Sequence, residues 1–398
     1  MSLGVVLRRL DYSLLLAVFG VIAVGMATID SATKADIVGD PDYYTTRHLV
    51  YVLSGATLAL IALLVDPRVY RRLVWPIYGL TIVGLIVVLG FSAARGSTRW
   101  ISLGEFNLQP SEIGKVALIV VLAHIVGRRS REQPGAWSTI GIVALVTAPL
   151  FALVFVQPDL GTSIVYLAAA TAILFVGGIR LTQMITLALV GVAIAFLVLS
   201  LLPAAGVEVL RDYQVARVTG FLDQDSEAAY QTTQSKIAIG SGGLLGKGAD
   251  GATQTSGDFL PEHHTDFVFA VVGEQRGFLG AALVLALYIV IIWRAIRTIT
   301  LAGTMFESLL AAGLAGMLLT QVFVNVAMTT GLAPTTGIPL PFMTYGGSNT
   351  LTNLIVVGLL CAVQLRGGVA APPPVPAHEV IVNTPAAVRE RREPAGRR

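Results

Sequence analysis

Glu262, His264 and Asp266 fall within the string PEHHTDF (Pro261–Phe267), and the apolar run FVFAVVG begins directly after Asp266. Three titratable groups at the start of an apolar helix fit acid–base chemistry, in which a carboxylate takes the proton of an attacking group. Aspartate is also a favoured helix cap, so a capping role competes for Asp266. His263 beside them reads as an exposed histidine. Glu112 and Lys115, in QPSEIGK (Gln109–Lys115), are three apart and share a helix face. Each alone would cost about 2.5–3.5 kcal/mol at mid-membrane, whereas as a pair they offset each other. They read either as an ion pair that fixes packing, or as a binding pair in which Lys115 meets a phosphate and Glu112 orients a hydroxyl or a metal. Asp159, in QPDLGT (Gln157–Thr162), sits at a break between apolar runs, where it would cap the next helix or bind a cation.

Two further motifs shape backbone. The segment GLAPTTGIPLPFMTYGGS (Gly331–Ser348) holds Pro334, Pro339 and Pro341, which stop a helix and force an extended or re-entrant path. Irregular backbone at membrane depth is tolerated only where it is packed in protein or lines a cavity. Gly346, Gly347 and Ser348 then open the last helix, whose N-terminus suits a phosphate. The string QSKIAIGSGGLLGKG (Gln234–Gly248) carries Lys236 and a glycine cluster, which permits close backbone approach to a ligand or serves as a flexible connector. No metal-ligand cluster, Ser–His–Asp set or nucleotide-binding fingerprint is legible in the sequence.

The elements that must position these residues are membrane spans. Of the 398 residues 55% are hydrophobic and 13% charged, and the mean hydropathy of +0.76 excludes an ordinary soluble domain. The expected fold is all-α, a polytopic membrane protein with about ten transmembrane helices. These fall near 11–31, 46–66, 72–92, 111–127, 138–156, 160–178, 181–202, 266–295, 305–330 and 347–366. Residues 1–367 form the membrane domain, with 204–265 as one large extracytoplasmic loop, and 368–398 form a disordered, Pro-rich, basic cytoplasmic tail. Within the loop, Leu210, Tyr213, Val218 and Phe221 share one side of a helix expected to lie in the membrane interface. The single Cys361 excludes an intrachain disulfide and reads as a buried thiol.

With the N-terminus placed in the cytoplasm, Arg8, Arg9, Arg68, Arg71, Arg72, Arg128, Arg129, Arg131, Arg180, Arg294, Arg297 and Arg366 all fall on the inner side. This is a positive-inside pattern. Both termini are then cytoplasmic, and every polar motif above lands on the outer side.

Together and in this order, GSTRWISLGEFNLQPSEIGK, QPDLGT, QSKIAIGSGGLLGKG, FLPEHHTDFVFAVVGE and TGIPLPFMTYGGS resemble the SEDS family (shape, elongation, division and sporulation) over roughly residues 10–367. The short N-terminal segment with LRRLDYSLLL resembles the elongation branch more than the division branch. The resemblance implies a peptidoglycan glycosyltransferase of the bacterial cytoplasmic membrane, polymerising lipid II at the outer face for cell elongation and shape. It implies a class B penicillin-binding protein, a transpeptidase, as partner, alongside lipid II, the nascent glycan strand and membrane lipid, and no nucleic acid. Asp266 then becomes the candidate catalytic residue. Glu112, Lys115, Asp159, Arg99, Lys236, Glu262, His264 and Ser348 become candidates for substrate binding. Where the family often has a Glu pair this chain has Glu274 and Gln275, and where it often has serine this chain has Thr344 or Asn349.

The reaction requires a base at the attacking sugar hydroxyl and positive charge on a departing lipid diphosphate. Lys115, Arg99, the loop cations Arg211, Arg217, Lys236 and Lys247, or a divalent cation such as Mg2+ or Mn2+, would supply that charge. A lipid II flippase and a non-catalytic scaffold for the transpeptidase are the competing readings. A flippase needs a polar route to both faces with sites near the midplane, whereas these motifs gather at one face. The topology is checked by labelling from outside in a Cys361→Ser background: a cysteine placed at Ser226 is expected to react and one at Ser130 to be protected, and the reverse pattern would invert the assignment.

Overall fold

The computed structural model describes residues 4, 8–34, 36–37, 39–90, 99–104, 106–132, 135–206, 215, 227–257, 259–260 and 262–367. Its helices are α1 (Tyr12–Thr33), α2 (Tyr43–Leu64), α3 (Pro67–Arg72), α4 (Val74–Leu89), α5 (Pro110–Glu132), α6 (Trp137–Val156), α7 (Leu160–Val176) and α8 (Leu181–Phe196). They continue with α9 (Glu227–Ser241), α10 (Thr253–Ser256), α11 (Val268–Leu301), α12 (Met305–Thr329) and α13 (Gly347–Gly367). A π-helical turn, Leu197–Leu201, and a short helical end extend α8 to Ala204. Strands β1 (Ile101–Leu103) and β2 (Phe106–Leu108) pair antiparallel, Ile101 opposite Leu108, and Gly104 takes the left-handed turn conformation, φ 70°. They are the one departure from an all-α fold among the described residues.

Eight of these helices are long and apolar enough to cross a membrane, and α4 and α7 are shorter apolar helices. Together they occupy the places where hydropathy puts the spans. The break at Gln157, Pro158 and Asp159 does divide α6 from α7. The interfacial helix expected around Val209–Leu222 and the tail 368–398 lie outside the described residues.

Helix α12 sits at the centre, packed against α5, α7, α11 and α13, while α13 packs along α2 and α11 along α1. None of the most apolar window of Leu181–Ala204 is buried. A helix apolar on all sides and uncovered by protein matches a lipid-facing position.

Two polar zones mark the two ends of the bundle. At one end Asp11 caps α1 and accepts from Arg294 (2.6 Å) and Gln364 (3.0 Å), and Gln364 also donates to Thr298 (2.6 Å). Burial alone would raise the Asp11 carboxyl, but bonds from Ser13, Arg294, Leu14 and Gln364 together hold it below its ordinary value. Arg366 ties to the Leu63 and Leu64 carbonyls at this same end, and Arg129 to Ser138. The opposite end holds every motif with candidate chemistry.

The long apolar run after Asp266 is not one straight helix. Gly277 in α11 has φ 64° and ψ −162°. The kink frees backbone groups, and the glycine cluster supplies their partners. Lys247 and Gly248 amides donate to the Glu274 and Gln275 carbonyls (both 3.0 Å), while the Phe278 and Leu279 amides donate to the Gly243 and Leu244 carbonyls (2.8 and 3.2 Å). A Cβ at Gly242 would lie 2.0 Å from the Gly273 carbonyl oxygen, and one at Gly246 2.2 Å from that of Gln275. The close approach that Gly242 and Gly246 permit is therefore to α11 itself, and the segment is a fixed part of the bundle at that point.

Candidate functional site

The motifs form two polar groups joined by the segment Gly331–Ser348. The first group is a buried bracket. Asp159 is the N-cap of α7: one carboxylate oxygen accepts the Thr162 amide (3.1 Å), and the other accepts from the Gln109 side chain (2.9 Å) and the Ser111 hydroxyl (3.3 Å). The Ser348 hydroxyl accepts the Gln109 amide and donates to the Asn107 carbonyl, each at 2.9 Å, so the last helix is tied to β2 and α5. Arg99 donates to the Gln157 carbonyl (2.9 Å) and to that of Pro158. Lys115 bridges both oxygens of Glu112 at 2.8 and 2.7 Å, with Lys115 2% and Glu112 3% exposed. The ion pair is thus closed on itself and buried, and the capping role of Asp159 is realised in full.

The second group is the loop before α11. The N-cap of α11 is Phe267, so Asp266 stands one residue before the cap, half-buried. Glu262 is exposed, adopts a left-handed backbone (φ 55°), and accepts the Thr265 hydroxyl at 2.8 Å. A non-glycine residue in this region costs about 1–3 kcal/mol and persists where surrounding structure enforces it. At Glu262 the carbonyl accepts the Thr265 and Phe267 amides (3.1 and 3.3 Å), and the rest of the loop is held by the Pro-rich segment and α12. The Tyr345 amide donates to the His264 carbonyl (3.1 Å), the Thr344 hydroxyl to the Thr265 carbonyl (3.1 Å), and the Leu340 amide to the Thr344 hydroxyl (2.9 Å). The Asn325 side-chain amide donates to the carbonyls of both Asp266 (2.9 Å) and Ile338 (2.8 Å).

His263 is buried at 5% exposure, which corrects its reading as a surface histidine. Its Nδ1 lies 3.2 Å from the Leu260 carbonyl, and its Nε2 lies 3.4 Å from Asp36. His264 is half-buried and packs on Tyr44, ring centroids 4.8 Å apart, with Tyr345 at the edge of both. Burial, reinforced by Tyr51, pushes the Tyr345 phenol above its ordinary range and keeps it an O–H donor. Asp36, Glu262, His263 and His264 line a cavity of about 580 Å³ together with Lys34 and Asp250.

Lys236 is exposed on α9, its stem lying over Gly331. Glu274, fully buried, accepts the Gln254 amide (2.8 Å), the Thr255 amide (3.0 Å) and the Thr255 hydroxyl (2.7 Å), anchoring α10 to α11. Sequence reasoning missed Asn325, Asp36 and Tyr345. For Asn325 a signal exists: with Gln321 it puts two amides at i, i+4 inside an apolar helix, both fully buried.

Fold and site define a multi-pass membrane protein whose polar machinery gathers at one end of its helix bundle. Residues 9–366 match the FtsW/RodA/SpoVE family, described as cell cycle proteins, and the chain belongs to that family. It is 36% identical over 360 residues to the peptidoglycan glycosyltransferase MrdB of Escherichia coli K12, covering 89% of this chain and 94% of that protein. It is 34% identical over 361 residues to the probable peptidoglycan glycosyltransferase FtsW of Geobacter sp. M18, covering 89% and 95%. Among solved structures it is similar to the rod shape determining protein RodA of Thermus thermophilus, with TM-score 0.66, 29% identity, and coverage of 90% and 97%. It is also similar to a chain of a peptidoglycan synthase complex that coordinates polymerization and crosslinking, with TM-score 0.75, 29% identity, and coverage of 89% and 97%.

The closed ion pair generates a test. Glu112→Gln leaves a buried ammonium without its counter-charge, a loss of about 3–5 kcal/mol. Folding yield by size-exclusion chromatography is expected to fall, and the double variant Glu112→Gln, Lys115→Met to recover it. Normal yield and stability from Glu112→Gln alone would contradict the role assigned to the pair.

Proposed function

We propose that this chain is a peptidoglycan glycosyltransferase that polymerises lipid II at the outer face of the bacterial cytoplasmic membrane, with Asp266 as general base. The observation that carries this reading is the fixing of the Asp266 loop: its backbone carbonyls accept from the Thr344 hydroxyl, the Tyr345 amide and the Asn325 side chain, which hold a half-buried carboxylate at a membrane-end junction. A base must be held in place before the reaction to act in the transition state. The sugar 4-hydroxyl attacks the anomeric carbon of the second substrate. Asp266 takes the hydroxyl proton as the new glycosidic bond forms, and the bond to the lipid diphosphate breaks with its electron pair. A single displacement of this kind inverts the anomeric centre.

Positive charge on the departing diphosphate lowers the barrier. Lys236 and Lys247 remain exposed and able to meet it, whereas Lys115 and Arg99 are committed to Glu112 and to backbone carbonyls. Arg211 and Arg217 lie outside the described residues. A divalent cation such as Mg2+ or Mn2+ would add charge at the same place when bound. The concentration of these groups at one end favours surface chemistry over a path through the bundle, and the arginine asymmetry supports placing that end outside, with both termini inside. The similarity to a chain of a peptidoglycan synthase complex supports a class B penicillin-binding protein as partner, and the relation to MrdB and RodA supports the elongation role.

Asp266→Asn is expected to reduce polymer formation from lipid II by roughly 10²–10⁴-fold, with elution profile and transpeptidase binding unchanged. Gel analysis of the glycan made by purified protein with its partner reads the result. Near-normal polymer would remove Asp266 from the mechanism and turn attention to Glu112 or Asp159.

A further inference from the structure

Asp36, His263 and His264 each offer one ligand atom, and those atoms lie within 4.8 Å of one another. The sequence hides this group, because Asp36 lies over two hundred positions from the histidines and meets them only through the fold. One contact in it has a definite chemical meaning. Nδ1 of His263 faces the Leu260 carbonyl, which can only accept, so Nδ1 carries the proton. In the neutral imidazole Nε2 is then a lone pair, and it faces the Asp36 carboxylate at 3.4 Å. Two acceptors at that distance repel unless a cation stands between them. The cation is either a second proton, giving an imidazolium–carboxylate pair, or a metal ion.

Three features favour the metal. A histidine that donates Nδ1–H to a backbone carbonyl and presents Nε2 is the orientation second-shell bonding gives a metal ligand. A second imidazole, that of His264, packs on Tyr44 and stands beside the first with ring centroids 5.1 Å apart, which brings a second nitrogen ligand within reach of the same point. The group also opens on the 580 Å³ cavity, to which Glu262 and Asp250 add carboxylates, so further coordination positions have room for water or ligand oxygen.

We propose that Asp36, His263 and His264 form a divalent metal site at the mouth of this cavity. Two imidazoles and one carboxylate suit a borderline ion such as Zn2+ best; Mn2+ is harder and binds such a set more weakly, which makes it a displaceable probe, and Mg2+ prefers oxygen ligands. The site joins the segment after α1 to the loop that carries Asp266. Its role toward a departing diphosphate rests on the glycosyltransferase reading; its existence as a metal site does not.

The test uses purified full-length protein in detergent, carrying a histidine-free affinity tag and stripped with EDTA. Mn2+ is titrated and free ion read by electron paramagnetic resonance; Zn2+ is added as competitor and Mg2+ as comparison. One saturable Mn2+ site displaced by Zn2+ is expected, weakened at least tenfold by Asp36→Asn and by His263→Ala. His124→Ala, at the other end of the bundle, is expected to leave it unchanged. Asp36→Asn keeps size and surface position, so a folded protein with lost binding is the expected outcome, checked by its elution profile. Asp266→Asn is expected to keep Mn2+ binding while losing polymer formation. If wild type makes no polymer yet binds Mn2+ through these residues, the site stands and the enzymatic reading falls. Absence of saturable binding, or binding unaffected by Asp36→Asn and His263→Ala, would overturn the proposal and leave an imidazolium–carboxylate pair.

Discussion

One side chain satisfies the constraint on which the rest of the site depends. Backbone that is neither helix nor strand, set at the end of a membrane bundle, must find partners for its carbonyls within the protein. The Asn325 amide, fully buried near the end of α12, gives one hydrogen to the carbonyl of Asp266 and one to that of Ile338. It thereby fastens the acid loop and the Pro-rich segment to the central helix at a single point. Leaving either carbonyl unsatisfied would cost about 1–3 kcal/mol. The Thr344 and Tyr345 bonds then close the two segments against each other.

The other polar motifs serve that fixed point in different ways. The bracket of Gln109, Ser111, Asp159 and Ser348 sets where α13 begins relative to α5 and α7, and so where the Pro-rich segment must end. Glu112 and Lys115 neutralise each other beneath that bracket and hold α5 in a buried position. The glycine cluster serves the acid loop from the opposite direction. It fills the backbone gap at the Gly277 kink, letting the first part of α11 depart from the direction of the long span. Charged residues in this family member thus divide into those consumed in building the platform and those left facing the cavity.

Much of this was legible before the fold was seen. Span positions follow from hydropathy because a bilayer demands a fixed length of apolar helix. The pairing of Glu112 with Lys115 follows from three-residue spacing. The capping of α7 by Asp159 follows from its place after a proline break. The division of labour was not legible, because it depends on distant partners. His263 looks exposed beside other polar residues, yet Leu260 and Asp36 enclose it. The glycine cluster reads as a place of close approach, but that Gly242 and Gly246 approach the backbone of α11 shows only in the fold. Asn325 is one amide in an apolar run until Ile338 and Asp266 are brought to it. The kink at Gly277 has no hydropathy signature at all, since both parts of α11 are apolar.

If Asp266 is the base proposed above, its action depends on Asn325 pinning the acid loop, not merely on the presence of the carboxylate. The most direct measurement is glycan polymerisation by Asn325→Leu, a change that keeps the branched shape of the side chain and removes both hydrogens. The predicted result is protein that inserts and elutes as wild type but polymerises lipid II at least tenfold more slowly, with Asp266 intact. Polymerisation at the wild-type rate by folded Asn325→Leu protein would contradict it.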